Sequence, residues 1–141
     1  MASEGKVFIG HGRSEVWRQL AMFLDGNLGL EYDEFNREAA AGLANKERLE
    51  NMLNEAGFAF LVMTGDDVHA DGSAHSRENV IHETGLFQGR LGFRKAIVLL
   101  EDECEEFSNI AGLVQIRFPK SNIMACSEAI RDVLRREGML K

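Results

Sequence analysis

An α/β domain, with a five-stranded parallel sheet between two layers of helices, is the fold this sequence predicts. Three observations predict it. Apolar runs alternate with segments of helical periodicity from end to end, the pattern of a parallel sheet covered on both faces. The runs at 58–63 and 96–100 are apolar almost throughout, as central strands are. The 141 residues suffice for one domain with a real core and are too few for two comfortable ones, so residues 1–141 read as a single domain.

The elements follow in order. Residues 6–10, KVFIG, form a short apolar strand that ends in His11-Gly12-Arg13. Ser14 can cap a helix carrying Val16, Trp17, Leu20, Phe23 and Leu24 at helical spacing, all read as core, and Asn27 and Gly29 stop it. Residues 30–35 alternate apolar and acidic side chains, as an exposed edge strand does. Asn45 can cap a helix bearing Leu49, Met52, Leu53 and Ala56, closed by Gly57. Residues 58–63 form the most apolar strand and belong at the centre; residues 64–76 read as a polar loop. A helix at 77–91, a Gly-Phe corner and a buried strand at 96–100 come next. Residues 101–106 read as a solvated acidic loop, 114–118 as the last strand before Pro119, and 123–136 as an amphipathic helix.

Right-handed crossovers and this length favour a flavodoxin-like three-layer fold with strand order 2-1-3-4-5. Ligands in such sheets sit at the carboxyl ends of the strands. Here that rim is built from residues 10–13, 35–37, 64–67 and 101 onward.

Composition narrows the partners. A net charge of −7 argues against nucleic acid or an anionic membrane. No apolar run approaches the roughly 20 residues of a membrane helix, and no signal peptide is visible. Two cysteines, Cys104 and Cys126, make no disulfide framework and read as reduced thiols of a cytoplasmic protein, Cys126 facing the interior. Acidic neighbours should raise the Cys104 pKa and make it a poor nucleophile. The segment 67–78 nearly fits a calcium loop, but His69 takes the third ligand position, and a solvated flexible loop is the reading. His69, His75 and His82 lack zinc spacing, so no metal site is expected.

The helix at 77–91 carries the chemistry. Val80, Thr84, Phe87 and Leu91 share one stripe, which must face the sheet. Glu83 falls roughly 70° from the centre of that stripe at 100° per residue, neither fully solvated nor fully buried. Two readings follow. Glu83 is either a surface residue paired with Arg90 or Arg94, or a carboxylate held in one rotamer where a ligand can reach it. Gly10, His11, Gly12 and Arg13 follow the first strand, where glycines allow close backbone approach; a tight turn with no ligand is the alternative.

The chain resembles the bacterial TIR-like domains associated with STING and other cyclic-nucleotide sensors in antiphage defence. The resemblance rests on KVFIGHGRS, FAFLVMTGDD, SRENVIHETGLFQGRLG and FSNIAGL together, and covers nearly the whole chain. It implies NAD⁺ glycohydrolase activity with the helix glutamate, Glu83, as catalytic residue. Many TIR enzymes have tryptophan four residues before that glutamate. This chain has Asn79, as the STING-associated branch tends to. Cleaving the nicotinamide–ribose bond builds positive charge on the anomeric carbon, and an ionised Glu83 would stabilise it. NAD⁺ is then substrate, and no cofactor is expected. Candidate substrate contacts are Gly10, His11, Gly12, Arg13, Phe35, Arg37, Asp67 and Asn79, with Arg13 and Arg37 for the pyrophosphate; Asp66 lies on the same rim.

The resemblance further implies that the loop at 36–44 docks onto a second copy, so that activity depends on self-association. It also implies a cyclic-nucleotide sensor, fused or separate, as partner. Two other readings stand beside this one: a non-catalytic TIR-type interaction module, and an enzyme like the nucleoside 2-deoxyribosyltransferases, which also use a glutamate on a related sheet. A response-regulator receiver needs clustered acids after the first strand, where this chain has Gly10-His11-Gly12.

Overall fold

The structure is a computed structural model in which residues 5–34, 45–76, 78–105 and 115–140 are described. Its strands are β1 (Lys6–His11), β2 (Tyr32–Glu34), β3 (Ala56–Met63), β4 (Asp67–Val68), β5 (Ala74–His75), β6 (Ala96–Glu101) and β7 (Gln115–Phe118). The helices are α1 (Trp17–Met22), α2 (Asn45–Glu55), α3 (Glu78–Leu91) and α4 (Ser127–Arg136). Five strands form one sheet in the order β2-β1-β3-β6-β7, every pair parallel. Counted along the chain, that is the expected 2-1-3-4-5. Among the described residues no helix is long and apolar enough to cross a membrane.

Alternation along the strands divides the core. Val7, Ile9, Phe58, Phe60, Val62, Ile97 and Leu99 meet Leu20 and Leu24, with Ile130 and Leu134 of α4, on one face. Phe8, Ala59, Leu61 and Ala96 meet Met52 of α2 and Phe87 of α3 on the other. Val80 of α3 adds a third cluster with Met63, Val98 and Leu100. The rings of Phe8 and Phe87 stack with centroids 4.1 Å apart, which fixes α3 onto β1.

Several local expectations are corrected. The α2 helix ends at Glu55 and passes directly into β3, so Ala56 and Gly57 are strand residues. The Gly5 backbone, at φ +118°, packs so tightly on Gly57 that a Cβ there would lie 2.7 Å from the Gly57 nitrogen. The polar loop at 64–76 contains an antiparallel hairpin, β4 with β5, turned at Gly72 with φ +86°. The Glu105 nitrogen donates to the Ala74 carbonyl at 2.7 Å, tying the hairpin to the chain beyond β6. Glu101 is not in an exposed loop: it ends β6, is buried, and accepts a hydrogen bond from the Ser121 nitrogen at 3.0 Å. The last amphipathic segment divides into a 3₁₀ turn, Ile123–Cys126, and α4. Trp17 is only half-buried, because it lies at the rim rather than in the core.

Truncating Phe87 to Ala removes the ring that pins α3. Phe87→Ala is expected to lower unfolding free energy by about 3–5 kcal/mol in denaturant titration. A loss under 1 kcal/mol would show that other contacts hold the helix.

Candidate functional site

The carboxyl ends of β1, β2 and β3 meet at one rim, and the residues after β1 are held there from both sides. Asp66, just past β3, accepts hydrogen bonds from the Arg13 backbone nitrogen through Oδ2 and from the Thr64 hydroxyl through Oδ1, both at 2.8 Å. Thr64 is buried. Ser14 Oγ accepts from the Val16 nitrogen at 3.3 Å in the turn before α1, but Val16 stands at the N-cap with no side-chain cap, which corrects the capping expected of Ser14. Arg13 itself is exposed at this rim.

Glu83 approaches the rim from α3. Val80 and Phe87, one turn to either side, are buried against the sheet and draw the helix in. Glu83 is 6% exposed, which corrects the half-buried position expected from the helical count. The cause is Gly10. A Cβ at Gly10 would lie 3.2 Å from Glu83 Oε1 and 2.8 Å from Leu61 Cδ1, so the carboxyl occupies the space that a side chain on β1 would fill. The glycine was read as allowing close approach; what approaches it is the carboxyl of this same chain.

Among the described residues no hydrogen bond or ion pair reaches that carboxyl. Arg90 and Arg94, the partners that a surface reading would give it, are engaged elsewhere. Arg90 Nη2 donates to Asn54 Oδ1 at 2.7 Å, and Arg94 Nε donates to Glu137 Oε2 at 3.1 Å. Burial, and secondly the carboxylate of Glu34, raise the Glu83 pKa to about 7. Both causes make Glu83 hold its proton to higher pH than an ordinary carboxyl does.

Glu34 was not foreseen. It ends β2, where the acidic alternation suggested a solvated edge, yet it is 2% exposed. Its Oε2 lies 2.6 Å from His11 Nε2, and the His11 ring stacks on Trp17 with centroids 4.2 Å apart. His11 and Glu34 stand on the α1 side of the sheet, whereas Glu83 stands on the α3 side. Arg48 Nη2 of α2 reaches the Glu34 carbonyl oxygen at 3.4 Å.

The rim therefore brings together Gly10, His11, Gly12, Arg13 and Glu83 of the expected set, and adds Glu34, Asp66 and Trp17. Phe35, Arg37 and the whole segment 36–44 lie outside the described residues, as do the side chains of Asp67 and Asn79. Cys104 is set apart under the β4–β5 hairpin. Burial, then the carboxylates of Glu101 and Asp66, push its thiol up to about 11, in the direction expected but with burial as the larger cause.

Comparison with known proteins agrees with this architecture. A diflavin flavoprotein from Nostoc sp. superposes with a TM-score of 0.51 over 97% of this chain and 94% of its own, at 15% identity, a likeness of fold alone. In sequence, the chain is 31% identical over 118 residues to the protein YuaY of Escherichia coli, covering 77% of this chain. It is 30% identical over 137 residues to the CD-NTase-associated protein 12 of Flavobacterium daejeonense, covering 93% of this chain. It is 40% identical over 76 residues, half of this chain, to the Pycsar effector protein BcPycTIR of Burkholderia cepacia, covering 25% of that protein. The chain spans only 38% and 43% of the length of the first two relatives. The family model of the CAP12/Pycsar effector protein TIR domain matches residues 6–120. By the extent of that match, the chain belongs to the CAP12/Pycsar effector TIR-domain family.

Proposed function

We propose that this domain cleaves the nicotinamide–ribose bond of NAD⁺, with Glu83 as its catalytic residue, as the effector part of an antiphage defence system. The observation that carries the reading is the Glu83 carboxyl: buried, without a hydrogen bond among the described residues, and pressed against Gly10 at the rim where such sheets take ligands. A buried acid without a donor is costly, and such sites are where perturbed acids do chemistry.

The raised pKa fits the substrate. An empty site holds Glu83 partly neutral. NAD⁺ brings a pyridinium cation, and an opposite charge a few ångströms away favours the carboxylate, so binding expels a proton. The C1′–N bond then breaks with its electron pair passing to the nicotinamide nitrogen. Nicotinamide leaves neutral and needs no general acid. The oxocarbenium-like carbon faces the Glu83 carboxylate, in surroundings where a fixed charge is worth more than in water. Water attacks that carbon and loses a proton, giving ADP-ribose; attack by the adenine of the same molecule gives a cyclic isomer instead.

The position of Gly10, His11 and Gly12 at the carboxyl end of β1 supports binding there, with Arg13 and Arg37 on the pyrophosphate. Phe35, Asp67 and Asn79 complete the proposed substrate set. Family membership supports self-association through the 36–44 segment and control by a cyclic-nucleotide sensor, fused or separate. Two relatives carry the names CD-NTase-associated protein and Pycsar effector protein.

Nicotinamide release from NAD⁺ should fall at least 100-fold in Glu83→Gln, about 2.7 kcal/mol of barrier. Activity within a few-fold of wild type would reject the assignment, and base exchange on deoxynucleosides with NAD⁺ untouched would point to the transferase reading. The kcat/KM profile should rise with pH through a midpoint near 7, set by the free enzyme.

Stability should move the other way. Between the ordinary 4.5 and about 7 the folded state keeps a proton that the unfolded chain has shed, so stability falls as pH rises across that window. Glu83→Gln should therefore be more stable than wild type above pH 7, by up to about 3 kcal/mol, with the gap closing toward pH 4. Thermal unfolding at several pH values reads this out. Specific activity should also drop on serial dilution; a flat series argues for a fully active monomer.

A further inference from the structure

The peptide group between Gly12 and Arg13 is held at both ends. The Gly12 carbonyl oxygen, which only accepts, takes a hydrogen bond from His11 Nδ1 at 2.8 Å, and the Arg13 nitrogen donates to Asp66 Oδ2 at 2.8 Å. Both residues lie past the end of β1, where the ladder of the sheet has stopped and side chains satisfy the backbone instead. The plane of that peptide cannot turn without breaking one of the two bonds. The Arg13 N–H is thereby taken, and contact with a ligand at this position falls to the exposed Arg13 side chain.

Asp66 is itself fixed. Its Oδ1 accepts from the Thr64 hydroxyl at 2.8 Å, and its nitrogen donates to the Thr64 carbonyl oxygen at 2.8 Å, a three-residue turn directly after β3. Thr64 is buried, so its hydroxyl needs that partner. The β4–β5 hairpin closes over the turn. A Cβ on Gly65 would lie 2.7 Å from the Ala74 Cβ, and the Ala74 carbonyl is held in turn by the Glu105 nitrogen at 2.7 Å. Asp66 therefore reaches from a fixed base to a segment 53 residues away in sequence.

We propose that Asp66 is a positioning residue for substrate: its carboxylate locks the peptide between Gly12 and Arg13 against the end of β3 and so aims the Arg13 side chain over the rim. The consequence for NAD⁺ rests on the reading given above; the lock itself does not.

Charge separates this role from others. NAD⁺ carries its negative charge on the pyrophosphate, and a carboxylate at the same rim opposes it. Removing that charge while keeping the geometry should therefore not weaken binding. Asp66→Asn does this: its Oδ1 still accepts from the Arg13 nitrogen, and the Thr64 hydroxyl can turn to accept from Nδ2. Asp66→Ala keeps neither bond.

The test reads the lock and its use separately. Without substrate, hydrogen exchange of the Arg13 amide, followed by ¹⁵N NMR, should be about tenfold faster in Asp66→Ala, with the amides of central β3 and β6 unchanged. Asp66→Asn should restore slow exchange. With NAD⁺, Asp66→Ala should raise KM about tenfold and leave kcat within about threefold, while Asp66→Asn keeps KM at or below the wild-type value. Thr64→Val, which removes the second donor and keeps the shape, serves with the same directions if Asp66→Ala does not fold. Unchanged Arg13 exchange in Asp66→Ala overturns the proposal, as does faster exchange with KM unmoved. A KM as high in Asp66→Asn as in Asp66→Ala, with Arg13 exchange restored, makes Asp66 a substrate contact and overturns it too. A wild-type protein that leaves NAD⁺ intact, with Arg13 exchange still faster in Asp66→Ala, sinks the reading of the site and keeps the lock.

Discussion

The rim is organised around a carboxyl group withdrawn from water with no described donor to replace it. Burying an ionised carboxylate in that way is costly, and the group responds by holding its proton. Three features make the position possible. The stack of Phe8 on Phe87 holds α3 close to β1. Gly10 leaves an opening the size of a side chain. Asp66 pins the turn after Gly10, so that the opening keeps its shape. The cost is borne by the core: the helix that carries Glu83 also contributes Val80 and Phe87 to the two clusters on that face.

Much of this was legible in the sequence, for reasons that can be named. A strand buried on both faces is apolar throughout, so 58–63 and 96–100 announced the centre of the sheet. Alternation of strand and helix then left few topologies, and the strand order followed. The element ends were harder. Two-residue strands such as β4 and β5 carry too little periodicity to stand out from turn residues, so the hairpin was read as loop. The 101–106 segment was read by its charge, yet Glu101 is buried because a backbone nitrogen twenty residues on donates to it.

The candidate site divides along the same line. The apolar stripe of its helix singled Glu83 out but left a surface reading open, and the catalytic role came from the family resemblance. Its depth was not legible, because a helical count knows nothing of the missing side chain on the facing strand. Glu34 was missed altogether. It stands in an acidic run with Glu31 and Asp33 that reads as a solvated edge, and the partner that allows its burial, His11, is 23 residues away in sequence. The fold does not resolve function on its own: a flavoprotein shares this sheet at 15% identity.

Among the described residues the outermost strands are the shortest of the five, three residues in β2 and four in β7. Exposed strand edges invite further chains to add on by backbone pairing, and short or charged ones discourage it. With Asp33 and Glu34 filling two of the three places in β2, there is little main chain for a neighbour to grip. Among the described residues, then, the β2 edge offers a neighbouring chain a backbone ladder of at most three residues.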